Sequence, residues 1–291
     1  MAMRTRMAVF SILFLLSIVP PFSLPPLDSA TAQDQKMTIE ILVARHLEAI
    51  GTSDARAKVA SRVASGKSNF LVRLGGSTNI DGSAMMVSTG PKIRFGMRFP
   101  APDYPGEDLA FDGNRAATAM LPQGGRSGLS RFLESQNLPL KEGLLGGALS
   151  TTWPLLRMNE SQPRLEYRGL KKIDDRQLHE VNYRARKGGN DLKVLLYFDP
   201  QTFRHVRTKY GFEVAATIGT RETANANPES YYSLTEDFDD FRAVDGLTLP
   251  HKYRLQYSAE GRGNSSLYEW TVLVASISHQ EKIDSQLFSI K

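Results

Sequence analysis

From about Asn69 to the C-terminus, apolar and polar residues alternate with a period of two, in run after run separated by a few turn-forming residues. Nothing else in the chain constrains its fold as strongly. The early runs are NFLVRLGG, GSAMMVST, KIRFGMRF, EDLAFDG and RAATAMLP, punctuated by Asp81-Gly82, Gly90-Pro91 and Asp112-Gly113-Asn114. The later ones are RLEYRGLKKID, QLHEVNYRARK, DLKVLLYFD, FRHVRTKYGFEV, SYYSLTEDFDDFRAV, LTLPHKYRLQYS and SLYEWTVLVASISHQ. They are broken at Asp174-Asp175, Gly188-Gly189-Asn190, Asp199-Pro200, Asp245-Gly246 and Gly261-Arg262-Gly263. Links this short exclude parallel crossovers, which leaves an antiparallel meander. A twisted sheet of roughly ten or more strands curls rather than staying flat. The expected fold class is mainly antiparallel β: a curved open sheet or incomplete β-barrel, with helices covering the concave face.

The alternation fails between Ser127 and Met158, where SGLSRFLESQNLPLKEGLLGGALSTTWPLLRM interrupts the strands. Leu129 to Gln136 and Leu140 to Leu149 read as helical pieces, cut by Pro139, Pro154 and paired glycines. The insert concentrates Phe132, Leu133, Leu140, Leu144, Leu145, Leu149, Trp153 and Leu155, together with Leu138 and Leu156. So many apolar side chains must be buried against the sheet. Two readings stay open: ordinary core filling the concave face, or a movable lid over a pocket for an apolar ligand. The eight residues named first are the candidate ligand-binding set.

Before the strands, MTIEILVARHLEAIG reads as a helix with Ile39, Val43, Leu47 and Ile50 on one stripe and Gly51 as its terminating glycine. SDARAKVASRVASG extends it as a second short helix, with Ser53 or Asp54 as N-cap. The opening residues have a different character. Arg4 and Arg6 precede the uncharged run AVFSILFLLSIV, and Ala30-Thr31-Ala32 supplies a small-residue cleavage site, which is the secretory pattern. The apolar run is shorter than the ~20 residues of a spanning helix. The expectation is a signal peptide over 1–32, cleaved near Ala32, and a single soluble periplasmic domain over 33–291 without a transmembrane anchor.

The chain has no cysteine, so stability must come from a core rather than from disulfides. No cysteine stands at the cleavage site to carry a lipid either. Its net charge of +5 comes from bases interleaved with acids, not from a basic block, which argues against nucleic acid as a partner.

Residues that could carry chemistry are scattered. His46 lies at the edge of the first helix's stripe and reads as a core histidine, while His179, His205, His251 and His279 sit on separate strands with no metal-ligand spacing. Neither a G-x-S-x-G elbow nor a cysteine nucleophile is present. The run TEDFDDF gathers Glu236, Asp237, Asp239 and Asp240; alternation places Glu236, Phe238 and Asp240 on one face, and the carboxylates read as a solvated strand edge. The glycine-rich GGRSG at 124–128 lacks the flanking residues of a phosphate loop and reads as a hinge. In YFDPQTFRHVRTKY, Asp199-Pro200 makes a turn, and strict alternation sets His205 in a row with Arg207 and Lys209. No catalytic residue, metal ligand or cofactor is expected.

With its signal segment, its opening helix ILVARHLEAIGT and its long meander, the chain resembles the LolA/LolB-like family of outer-membrane lipoprotein-sorting proteins. YFDPQTFRHVRTKY looks like that family's D-P-x-T hairpin and DFRAVDGLTLPHKYRLQY like its V-D-G-x-x-x-P hairpin. The resemblance spans most of the chain after the signal segment and rests on turn chemistry. It implies an incomplete barrel around an apolar cavity with helices as the lid, and a periplasmic carrier of the acyl chains of a lipid or lipoprotein, without cofactor. Two further readings stand beside it. One is an exported hydrolase, in which His205 and Asp237 or Asp239 should meet in one cleft. The other is an envelope scaffold that holds a partner protein at a sheet edge.

Overall fold

Short turns between alternating runs produce what they dictate, a single sheet in which strands consecutive in sequence lie side by side, except across the 127–158 insert. The computed structural model describes residues 36–74, 78–186, 191–215, 230–261 and 264–290. The expected signal segment 1–32, the turn at 188–190 and residues 262–263 lie outside the described residues.

Among the described residues there are twelve strands: β1 (Ser61–Val72), β2 (Asn79–Thr89), β3 (Lys92–Arg98), β4 (Gly106–Phe111), β5 (Ala116–Thr118), β6 (Arg164–Ile173), β7 (Arg176–Arg184), β8 (Lys193–Phe198), β9 (His205–Val214), β10 (Ser230–Val244), β11 (Leu247–Gly261) and β12 (Asn264–His279). Their order is β5-β4-β3-β2-β1-β12-β11-β10-β9-β8-β7-β6, with every pairing antiparallel. The first five strands and the last seven each form a meander, and β1 joins them by pairing with β12. β5 and β6 are left as edges, so the curved sheet is open rather than a closed barrel.

The turns work as the residue types require. Asp245 and Gly246 both take positive φ, 50° and 79°, the left-handed pair of a two-residue hairpin whose twist matches the strands. Asp199 Oδ1 accepts the backbone N–H groups of Gln201 at 3.1 Å and Thr202 at 2.8 Å, closing the turn before β9.

Three local expectations are corrected. The second helix is only α2 (Ser53–Ala57), and its N-cap is Thr52, whose Oγ1 accepts Ala55 N–H at 3.2 Å. The stretch beyond it is already strand: β1 starts at Ser61, well before Asn69, flanked on both sides by β2 and β12. Ala, Ser and Gly are weak strand formers, so pairing on two edges decides the matter, not propensity. Gly66 marks a bulge there, because a Cβ on it would lie 2.0 Å from the carbonyl oxygen of Leu273. The first helix, α1 (Ile39–Ile50), is capped by Thr38 and buries Leu42, His46 and Ile50 rather than the stripe through Val43 and Leu47. Its rotation follows from His46 being satisfied inside, as shown below.

One face of the sheet collects the inward side chains of both halves, among them Met86, Phe95, Leu109, Leu196, Tyr210, Leu234, Tyr253, Leu255 and Trp270, in one continuous apolar cluster. Against that face lie α1 and the insert between β5 and β6. A smaller cluster of Leu178, Leu195, Tyr197 and Val206 covers the opposite face near β7 to β9.

Candidate functional site

The insert begins at α3 (Gly128–Ser135), whose N-cap Ser127 accepts Ser130 N–H at 2.9 Å. It continues through α4 (Leu138–Lys141), with Pro139 in its first turn. The expected helix from Leu140 to Leu149 does not form. Gly143, Gly146 and Gly147 take φ of 70°, 81° and 49°, left-handed values that no α-helix contains. Two 3-10 turns follow instead, Gly147–Leu149 and Pro154–Arg157. The glycines let the backbone itself touch the sheet: a Cβ on Gly147 would lie 2.9 Å from both His205 Nδ1 and Phe238 Cζ.

Phe132, Leu133, Leu140, Leu144, Leu145, Leu149, Trp153 and Leu155 are between 0 and 4% exposed, and all join the cluster formed by the inward strand side chains. The insert itself occupies the concave face. Among those side chains Phe132 also lines an opening. Along the outer side of α3 runs a groove of about 640 Å³, lined by Arg131, Phe132, Phe212, Tyr232, Tyr257 and Tyr268 among others. Phe132 packs on Tyr257 with ring centroids 5.8 Å apart, and Tyr257 stacks on Tyr268 at 6.3 Å. Aromatic faces with a single flanking arginine suit a long apolar ligand with a polar end.

Polar groups under the insert tie it down. Glu236 on β10 is fully buried and accepts three hydrogen bonds: Gly146 N–H at 2.7 Å, Tyr253 O–H at 2.7 Å and Tyr210 O–H at 2.6 Å. Loss of water on burial pushes its carboxyl up to about 7. Arg62 on β1 donates from Nη1 to the carbonyl of Ala148 at 2.5 Å. Trp153 Nε1–H donates to His46 Nε2 at 3.0 Å, and the opposite nitrogen of that ring donates to Phe203 O at 3.0 Å. His46 is therefore neutral with its proton on Nδ1, and burial lowers it to about 4. At α3, Ser130 O–H and Tyr104 O–H donate to Glu107, which burial holds above the usual carboxylate range.

The readings built on strict alternation change here. Between Tyr197 and Phe198 the β8–β9 register shifts, so that Phe198 faces His205 while Tyr197 faces Arg207. That bulge turns His205 inward, out of the row of Arg207 and Lys209. There its ring stacks on Trp153 with centroids 4.5 Å apart, and Thr208 Oγ1 lies 2.9 Å from its Nε2. β10 is paired on both sides as far as Asp237, so Glu236 and Asp237 are not an edge device, whereas Asp239 and Asp240 lie beyond the end of the β9 ladder. Glu236 is buried inward, and Asp240 leaves its face through a left-handed φ of 53° and is exposed. Asp237 points to the opposite face, paired with Arg207 at 2.5 Å and Arg254 at 2.6 Å. His205 and Asp237 thus lie on different sides of the sheet, Asp239 is exposed, and the cleft required by the hydrolase reading does not form. Among the described residues no three His, Asp or Glu side chains come together as a metal set, and no helix is long and apolar enough to cross a membrane.

Arg62 is not visible to periodicity as a contact of the insert, because SDARAKVASRVASG reads as helix there. Glu236 alternates with Phe238 in the sequence, but nothing local marks it as a tether of the insert. Nor is the aromatic wall of the groove visible there, because β9, β10, β11 and β12 contribute to it from distant positions.

No protein-family model matches this chain, and no curated protein matches it. Among solved structures it is similar to a LolA superfamily protein from Nitrosomonas europaea, at 9% identity over 87% of this chain and 98% of that one, with a TM-score of 0.44. It is also similar to a DUF1329 family protein from Desulfovibrio piger, at 10% identity over 86% and 97%, with a TM-score of 0.39.

Proposed function

We propose that this protein is an exported, periplasmic carrier that holds the acyl chains of a lipid or lipoprotein, with the 127–158 insert as its lid and no bond-breaking step. The observation that carries this reading is how the insert is seated. Its apolar side chains cover the concave face, but its backbone is glycine-broken and tethered at a few points, chiefly Glu236, Arg62 and His46. A purely structural filler needs no aromatic groove along its flank. Here an acyl chain would enter beside Phe132 and Tyr257 and displace the insert's leucines in exchange for its own methylenes. Such an exchange replaces one buried apolar surface by another, so its net cost is small.

The scaffold reading draws less support. The uncovered edge β6 carries Arg164, Glu166, Arg168, Lys171 and Lys172, charges that discourage strand addition.

The test is to purify the protein mildly, extract it with organic solvent, and titrate the delipidated protein with a fluorescent long-chain fatty acid. The expected result is a co-purifying lipid or saturable binding at micromolar concentration or better. The absence of both lipid in the extract and saturable binding would overturn the reading.

A further inference from the structure

A second opening lies at the far end of the insert, built from different residues. Between α2, the start of β1, the end of β2 and the turn Pro154–Arg157 is a pocket of about 540 Å³. Its polar lining comes from Arg56, Arg62, Arg157, Ser53, Thr89 and Thr151, and no aspartate or glutamate lines it.

The three guanidinium groups are short of counter-charge. Arg62 is 2% exposed, yet no carboxylate pairs with it; its described partners are the Ala148 carbonyl and His279 Nε2, at 2.5 and 3.0 Å. The nearest acid in that chain of contacts, Asp245, is reached only through His279 and is mostly exposed. Arg56 spends Nη1 on the carbonyls of Leu47 and Gly51 at the end of α1, and it too has no carboxylate partner among the described residues. Arg157 alone has one, the largely exposed Glu160. A guanidinium has five N–H donors, so these groups keep donors to spare. Burial without an acid beside it lowers Arg62 to about 10.

The same pocket holds a second anomaly. Thr151 Oγ1 is buried and has no hydrogen-bond partner. A buried charge without an opposite charge and a buried hydroxyl without a partner are both unfavourable, and natural structures rarely keep either without reason. Both residues line one opening. A compact group carrying negative charge and several acceptor oxygens would satisfy them together, and planar arginine forks match phosphate oxygens well.

We propose that this pocket is a binding site for a phosphate-class oxyanion, either free phosphate or the phosphate of a lipid headgroup. Arg56, Arg62 and Arg157 would supply the charge and Thr151 a hydroxyl donor. Its walls belong partly to the sheet (Arg62, Thr89) and partly to the insert (Thr151, Arg157), so a bound anion bridges the two and holds the insert in place. The site stands independently of the acyl-chain reading, because its ligand needs no acyl chain.

The experiment is calorimetric titration, at low and matched ionic strength, with three probes: inorganic phosphate, glycerol 3-phosphate and dihexanoyl phosphatidic acid below its micelle concentration. Sodium chloride at equal ionic strength is the blank. Saturable binding of at least one probe is expected. Thr151→Val should weaken it about fivefold, the usual worth of one hydroxyl bond, and Arg56→Gln or Arg157→Gln about tenfold or more. Arg62→Gln should abolish it, but that buried variant can fail to fold, so the three others carry the test. Equal affinity for inorganic phosphate and the phosphatidic acid identifies free phosphate as the ligand; clear preference for the phosphatidic acid identifies a headgroup. No saturable binding of any probe, or binding unchanged in Thr151→Val, Arg56→Gln and Arg157→Gln alike, overturns the proposal.

Discussion

The carboxylate of Glu236, in the middle of β10, accepts the backbone N–H of Gly146 at 2.7 Å, so an ionisable group at the bottom of the core holds the insert against the sheet. Tyr210 and Tyr253 complete its hydrogen bonds. The dependence of stability on pH follows from this arrangement.

Burial raises the Glu236 carboxyl to about 7. For an acid raised on folding, the native state binds the extra proton, so its contribution is full below the unfolded value and is lost as pH rises through about 7. Glu236→Gln keeps an acceptor for Gly146 but cannot ionise. Urea unfolding at pH 5.5 and pH 8 should show the wild type losing on the order of 2 kcal/mol more than the variant across that interval. Parallel pH profiles for the two proteins would refute the assignment.

His46 works in the opposite sense. Its folded value, about 4, lies below the ordinary one, so the neutral ring's contribution is full above the unfolded value and is lost as pH falls through about 4. Protonation removes the lone pair that accepts Trp153. In a Trp270→Phe background, tryptophan fluorescence should report an acid transition of Trp153 near that pH. His46→Phe should move the emission at pH 7 and cost about 1–3 kcal/mol, because it leaves the indole N–H and the Phe203 carbonyl unpaired.

Gly147 and Gly124 both have positive φ, 49° and 85°, but only Gly147 is enclosed. Gly124→Ala should cost about 1 kcal/mol, the left-handed penalty alone. Gly147→Ala adds a collision with His205 and Phe238, so it should cost several kcal/mol and loosen the insert. Hydrogen exchange should show faster exchange over 143–158 in Gly147→Ala than in Gly124→Ala. Equal effects of the two substitutions would contradict the seating described here.

Tyr232 lines the groove from β10 and is only half-buried, at the margin of the core, so its replacement opens no buried cavity. Tyr232→Glu should leave the melting temperature within about 2 °C and reduce affinity for the fluorescent fatty acid about tenfold or more by setting a charge in an apolar channel. Unchanged affinity would place acyl binding elsewhere.

The antiparallel meander was legible because its cause is local: period-two alternation and turn residues act over a few positions, and the chain repeats them a dozen times. The insert was legible as an interruption for the same reason, and its eight apolar residues do lie in the core. Register was not legible. A single bulge at Tyr197/Phe198 turned His205 from an apparent surface row into the stack under Trp153, and a left-handed Asp240 separated it from Glu236 and Phe238.

Nor was β1 legible, since residues such as Ala64, Ser65 and Gly66 become strand only when β2 and β12 pair with them. By itself the sequence determined an open antiparallel sheet with an apolar, glycine-broken insert against one face. Tertiary structure alone decided which polar groups meet beneath that insert: Arg62 with Ala148, Glu236 with Gly146, and His46 with Trp153. Those partners are 86, 90 and 107 positions apart. Alternation and turn chemistry do not reach that far, whereas the pairing of β1 with β12 and the fit of side chains across the concave face do.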